Sequence, residues 1–370
     1  MSDRPSWPAR FVAGQGDREA LLILASLRGL TAGRLLALAD GRRSARWCLD
    51  AVVAGRAGSD ADTRAARESN PSQLQEALDA CGARMVAVGD PDYPPLLMAS
   101  SDPPGAIFVR GRNLDPAELC IAVVGARDCS ALGRELAEDL ASHLARSGVA
   151  VVSGAARGID SAGHEGALAA GGRTIAVLGS GIDVAYPRRN ARMLERILDE
   201  GSIVSEYPPG IPAEPFRFPA RNRIIAGMSR AVVIVEGGDG SGSLITAEFA
   251  LQLGRDIYAV PGAINNPLAA APLSIIRDGA VMIRSAEDLI FDLKLDRDVV
   301  SDGVRSGLTL AELAILDSLE GPTLAEALAT KLGCDLSGVV SILLALEMRG
   351  LVRGQGGRFE PTLAATKVRR

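Results

Sequence analysis

Leu21, Leu22, Leu24 and Leu27, then Leu35, Leu36 and Leu38, recur at helical spacing between Arg18 and Asp50, either side of the turn Gly29-Leu30-Thr31-Ala32-Gly33. The pattern predicts short amphipathic helices, forming a small helical domain over residues 15–60 of helix-hairpin-helix or SAM-like type. A glycine turn of this kind presents backbone N–H to a phosphate in some proteins and serves only docking in others. Ala54 to Pro71, rich in Ala, Gly, Ser, Asp and Arg, reads as a mobile connection.

From about Met85 to Ile290 the period changes. Short apolar, β-branched runs alternate with helical stretches: Ile121–Val124, Val149–Val152, Thr174–Leu178, Ser202–Val204, Ala231–Val235 and Ile257–Val260. Strands apolar on both faces, each followed by a helix, predict an α/β fold with a doubly wound, mostly parallel, Rossmann-like sheet over residues 80–292. Leu293 to Ser306 reads as a linker. Helices at Leu308–Leu319, Leu324–Leu332 and Leu336–Arg349, followed by a ribbon over Leu351–Phe359, predict a winged helix at 306–362. Its third helix carries no basic or amide side chain from Leu336 to Leu346, which favours protein contact over duplex reading, although Arg349, Arg353, Arg358 and the Lys367–Arg370 tail supply positive charge nearby.

The 370 residues are 47% hydrophobic and 23% charged, with a formal net charge of −5. Nucleic-acid binding therefore requires a local basic patch rather than a basic surface. Lysine occurs only at Lys294, Lys331 and Lys367, so any anion site in the sheet must use arginine or backbone N–H, and a P-loop or Schiff-base lysine is excluded there. Five cysteines without a CxxC pair and only His143 and His164 offer no metal site, and read as reduced thiols in a cytoplasmic protein. No signal core and no run of ~20 apolar residues is present, so no membrane partner is expected.

In a parallel sheet the carboxyl edge faces the starts of the following helices, where free N–H groups favour anions. Here those edges carry Gly125-Ala126-Arg127, then Ser153-Gly154-Ala155-Ala156-Arg157-Gly158-Ile159-Asp160, then Gly179-Ser180-Gly181. The spacing is not that of a dinucleotide fingerprint, and no cofactor is predicted. Phe216 to Arg230 holds Arg217, Arg221, Arg223 and Arg230 and no acidic residue, offering guanidinium forks for phosphates and aromatic faces, Phe218 among them, for bases. The bland alternative pairs one arginine with Glu206 or Glu236 and buries the phenylalanines. Glu236 to Glu248 is a glycine-rich strand-to-helix turn with Ser241, Gly242, Ser243 and Thr246 placed for a phosphate. No nucleophile and base pair stands out, and a binder rather than an enzyme is expected.

Val124-Gly-Ala-Arg127, Val152–Asp160 followed by His164, Phe218-Pro-Ala-Arg-Asn-Arg-Ile-Ile225, Ser241–Thr246 and Val260-Pro-Gly262, in this order, resemble the DNA-processing protein A (DprA/Smf) family. The resemblance implies a homodimeric single-stranded-DNA-binding protein that loads RecA onto incoming strands in natural transformation and recombination. It also implies a phosphate pocket built from Arg127, Arg157, Arg221 and Arg223, with Asn222 between the last two. The sequence departs from the family at Ala126, where serine is usual, and at Leu268–Ile276, which lacks the family's polar residues. A second reading follows from the likeness of the Glu236–Ser243 turn and Glu248 to LOG-type phosphoribohydrolases, in which Glu248 assists cleavage of a nucleoside monophosphate.

Overall fold

The computed structural model describes residues 6–294, 308–319 and 321–362. Most of the expected linker at 293–306 and the Lys367–Arg370 tail lie outside them. Contacts divide the chain into two compact units, residues 1–289 and 290–370.

The first unit opens with five helices, α1 (Gln15–Ser26), α2 (Ala32–Ala39), α3 (Ala45–Val53), α4 (Asp60–Glu68) and α5 (Pro71–Ala80). The expected mobile connection at 54–71 is largely helical. Ser59 and Asp62 form a capping box at the start of α4, while the Asn70 side chain caps α5, which begins on Pro71. The cap chemistry outweighs the loop-like composition. Asp62, nearly fully buried, also accepts a hydrogen bond from the Gly29 N–H at 2.9 Å. The glycine turn is therefore closed by an internal carboxylate, and that N–H is not available to a phosphate.

The sheet follows: β1 (Ala83–Ala87), α6 (Pro95–Met98), β2 (Ala106–Gly111), β3 (Cys120–Val124), α7 (Ala131–Arg146), β4 (Ala150–Ser153), α8 (Ile159–Ala169), β5 (Thr174–Gly181), α9 (Ala191–Glu200), β6 (Ser202–Tyr207), α10 (Arg217–Met228), β7 (Ala231–Ile234), α11 (Gly242–Gln252), β8 (Asp256–Ala259), α12 (Ala270–Arg277), β9 (Val281–Met282) and α13 (Ala286–Asp292). Among the described residues the nine strands lie in the order β1-β2-β6-β5-β4-β3-β7-β8-β9. Neighbours from β6 to β9 are parallel, and β1 and β2 extend the sheet antiparallel. The central strands β3, β4, β5 and β7 are buried throughout, as a layer covered on both faces must be. Side chains of α1 to α3, such as Leu21, Leu24 and Val52, share one apolar cluster with Val109, Val124 and Val204 of the sheet.

The chain winds outward from β3 to β6 and then returns to place β7 on the other side of β3. The loops leaving β3 and β7 consequently diverge, opening a crevice at the carboxyl ends of these strands, where open α/β sheets bind ligands.

In the second unit, α14 (Leu310–Ser318), α15 (Ala325–Leu332) and α16 (Leu336–Met348) pack around Leu316, Leu328, Leu343 and Leu346. β10 (Thr323–Leu324), β11 (Val352–Gln355) and β12 (Arg358–Pro361) form an antiparallel sheet in the order β10-β12-β11. Among the described residues no single helix is long and apolar enough to cross a membrane.

Candidate nucleic-acid interface

A cleft of about 500 Å³ occupies the crevice between β3 and β7, lined by Gly125, Arg127, Phe218, Arg221, Asn222, Ser241, Gly242, Ser243 and Thr246 among others. Nine residues expected at the site thus come together from three distant stretches. The helix starts at this rim differ in what already occupies them. At α7 the Glu236 carboxylate accepts hydrogen bonds from the Ser130 N–H at 2.9 Å and the Ser130 hydroxyl at 2.6 Å. Before α8 the Asp160 carboxylate accepts from the Ala156 N–H at 3.3 Å. Only hydroxyls attend α11: Ser241 Oγ accepts from the Ser243 N–H and lies 2.8 Å from Ser243 Oγ. Among the described residues no carboxylate is bonded to its first turn. The start of α11 therefore faces the cleft with no carboxylate clasped to it, although Asp239 lines the same cleft two residues before the Ser241 cap, and its dipole favours an anion there.

Asn222 Nδ2 donates to the Gly242 carbonyl at 3.1 Å and so fastens α10 to the start of α11. The Leu268 carbonyl accepts from the Gly237 N–H at 2.7 Å, bracing the glycine turn through backbone where the family's polar residues are missing. Arg127 is exposed, makes no ion pair among the described residues, and holds its guanidinium 5.5 Å from the Phe218 ring centroid.

The remaining arginines divide by partner. Arg221 lines the cleft but is buried, and its Nη1 donates to the carbonyls of Gly154 and Val177 while Nε donates to Asn222 Oδ1. Burial lowers its pKa to about 10, against the pull of Asp160 and with the help of Arg127. The expected phosphate fork is thus mainly a brace between strand ends and α10. Gly154 permits it, since a Cβ there would meet the guanidinium at 2.4 Å. Ser153 is fully buried beneath, donating to the Val123 carbonyl at 2.7 Å.

Arg223 contradicts its expected role. It pairs with Glu206 and with Asp102 at 3.3 Å, and lines a different groove beside Leu30 and Thr31. The pairing with Glu206 follows the bland alternative, because the helical turn from Arg221 to Arg223 points successive arginines to different sides. Phe216, in contrast, is exposed rather than core.

Arg157 and Gly158 line a neighbouring cleft of about 610 Å³ that shares Arg127 and Asp128 with the first. Arg157 is paired with Asp128 at 3.1 Å. Gly158 has φ 73°, and a Cβ would lie 2.1 Å from the Ala126 carbonyl oxygen, so only glycine fits. This cleft adds Arg134, Arg189 and Arg192, which sequence reasoning did not single out. Pro187-Arg188-Arg189 carried the signal.

His164 is buried, with Nδ1 2.7 Å from Thr174 Oγ1, and burial together with the Arg221 charge lowers its pKa to about 3. It is neutral and structural. Glu248 lines a separate groove with Leu244, Leu251 and Ile257 and is absent from the lining of the anion cleft, so the phosphoribohydrolase reading loses the carboxylate that motivated it. Among the described residues no group of three His, Cys, Asp or Glu side chains could hold a metal ion.

The family model described as DNA recombination-mediator protein A matches residues 84–294. Protein Smf of Escherichia coli strain K12 is 36% identical over 289 residues, covering 75% of this chain and 77% of its own. DNA processing protein DprA of Bacillus subtilis is 38% identical over 213 residues, 57% of this chain and 72% of that one. Among solved structures, DNA processing protein A from Streptococcus pneumoniae superposes with a TM-score of 0.65 at 33% identity, covering 75% of this chain and 97% of that one. The Helicobacter pylori protein, described for its single-stranded DNA binding mode, gives 0.52 at 26% identity over 58% of this chain and 96% of that one. With the family model spanning the whole parallel sheet and both walls of the cleft, the chain belongs to the DNA recombination-mediator protein A family.

Proposed function

We propose that this chain binds single-stranded DNA at the β3/β7 crevice, as a homodimeric, non-enzymatic cytoplasmic mediator that delivers the strand to RecA during recombination and natural transformation. The observation that carries the reading is the start of α11, to which no carboxylate is hydrogen-bonded among the described residues, with the exposed, unpaired Arg127 on the same cleft. Phosphate contacts of this kind position a strand without reading its sequence. The H. pylori relative supplies the substrate class.

The test is the affinity of the full chain for labelled single-stranded oligonucleotides across a salt series. Engagement of about three phosphates gives a log-log slope of about −2. Salt-insensitive binding, or none at low salt, overturns the reading. RecA delivery is checked by RecA filament formation on single strands with and without the chain, and the dimer by sedimentation. Nucleoside monophosphates incubated with the protein should release no free base.

A further inference from the structure

The wall beside the anion cleft is aromatic. Tyr186, in the loop after β5, is 46% exposed, and its ring centroid lies 5.1 Å from that of Phe218 with the planes 31° apart. Phe218 in turn lies against Arg127, so a cation and two rings touch in series. The loop is fastened on all sides. Ser180 Oγ donates to the Val184 carbonyl at 2.9 Å, Asp183 accepts from the Gly210 N–H at 2.8 Å, and Asn190 Nδ2 donates to the Ala155 carbonyl at 2.9 Å and lies 3.0 Å from Ser161 Oγ. The tyrosine is thus held in place without being buried, and its hydroxyl makes no hydrogen bond among the described residues. Arg188 and Arg189 follow directly after Pro187, both exposed and without an ion pair among the described residues.

We propose that Tyr186 is a nucleobase-stacking residue that selects unpaired strands. This rests on the single-strand reading above. Arg127 and the α11 N–H groups treat any phosphate alike, whereas a base inside a duplex keeps both faces against its neighbours. An exposed ring fixed beside a phosphate site is a stacking platform open only to an unpaired base, and sequence-tolerant because every base has a π face. Tyr186 then supplies the single-strand preference that the electrostatics lacks.

The experiment compares wild type, Y186F, Y186L and Y186A, as full chains, on three ligands: a natural single strand, a strand of equal length with abasic sites, and a duplex. The abasic strand keeps every phosphate. Y186L and Y186A should lose about 5- to 150-fold on the natural strand, the range expected for one stacked base, and nothing on the abasic strand or the duplex. Y186F should bind as wild type. Equal losses on natural and abasic strands would show that the ring only braces Phe218, and no loss on either would also overturn the proposal while leaving the single-strand reading intact. If wild type binds neither strand at low salt, the reading falls first and the proposal with it. Should Y186A fail to fold, Y186L, which keeps apolar packing on Phe218, and the wild-type ratio of natural to abasic affinity decide; a ratio of one overturns the proposal.

Discussion

Arginine residues of similar sequence context perform different work in this molecule, and the difference lies in what each side chain meets. Arg127 is exposed on the cleft without an acidic partner, whereas Arg223 is held by Glu206 and Asp102. Arg127→Ala should therefore weaken single-strand binding to all sequences alike and make the salt slope shallower by about 0.7, measured by anisotropy titration over a salt series. Arg223→Ala should leave the slope unchanged and lower stability by about 3 kcal/mol, because Glu206 would remain desolvated and unpaired; urea unfolding reads this. The arginine-rich segment was legible as a cluster. Glu206 was legible as a partner for one arginine, but the full division was not, because Asp102 lies 121 positions from Arg223 and Asp128 lies 29 from Arg157, and nothing in local spacing announces those contacts.

Elements were legible where hydrophobic period and length agreed. The six expected parallel strands correspond to β3 through β8 within a few residues, with β5 and β6 running further. β1 and β2 escaped notice because Ala83–Ala87 and Ala106–Gly111 are short and sit among Gly and Pro turns, before the strand-helix alternation sets in. The stretch before α5 was misread from composition, since Ser59 and Asp62 act through hydrogen bonds that residue counts do not weigh. Asp62→Ala should accordingly cost about 1–3 kcal/mol, by removing the carboxylate half of the α4 capping box and the partner of the Gly29 N–H. It should leave DNA affinity unchanged. A gain in affinity on freeing the Gly29 N–H would mean that the turn is a phosphate site after all.

At the scale of the whole molecule, acid sensitivity should come partly from His164. Its folded pKa of about 3 lies below the ordinary 6.5, so the unfolded chain binds the proton more readily. The stabilisation is complete above pH 6.5 and is lost as pH falls toward 3, by about 2 kcal/mol at pH 5. Urea midpoints at pH 7 and pH 5, followed through Trp7 and Trp47 in the first unit, should show this drop, and His164→Gln should flatten it. The family was readable from the order of its motifs, which mark strand ends at β3, β4 and β8 and positions in α10 and at the start of α11. Which helix start remains vacant was not, because that depends on long-range clasps.

One such clasp has a consequence for recognition. Glu236, just beyond β7, grips Ser130, at the start of α7, across 106 positions of sequence. The segments that diverge at the crevice are thereby latched to each other by a bond independent of any ligand. On the single-strand reading proposed above, an incoming strand would meet a receptor already assembled, and little of its binding energy would be consumed in ordering the protein.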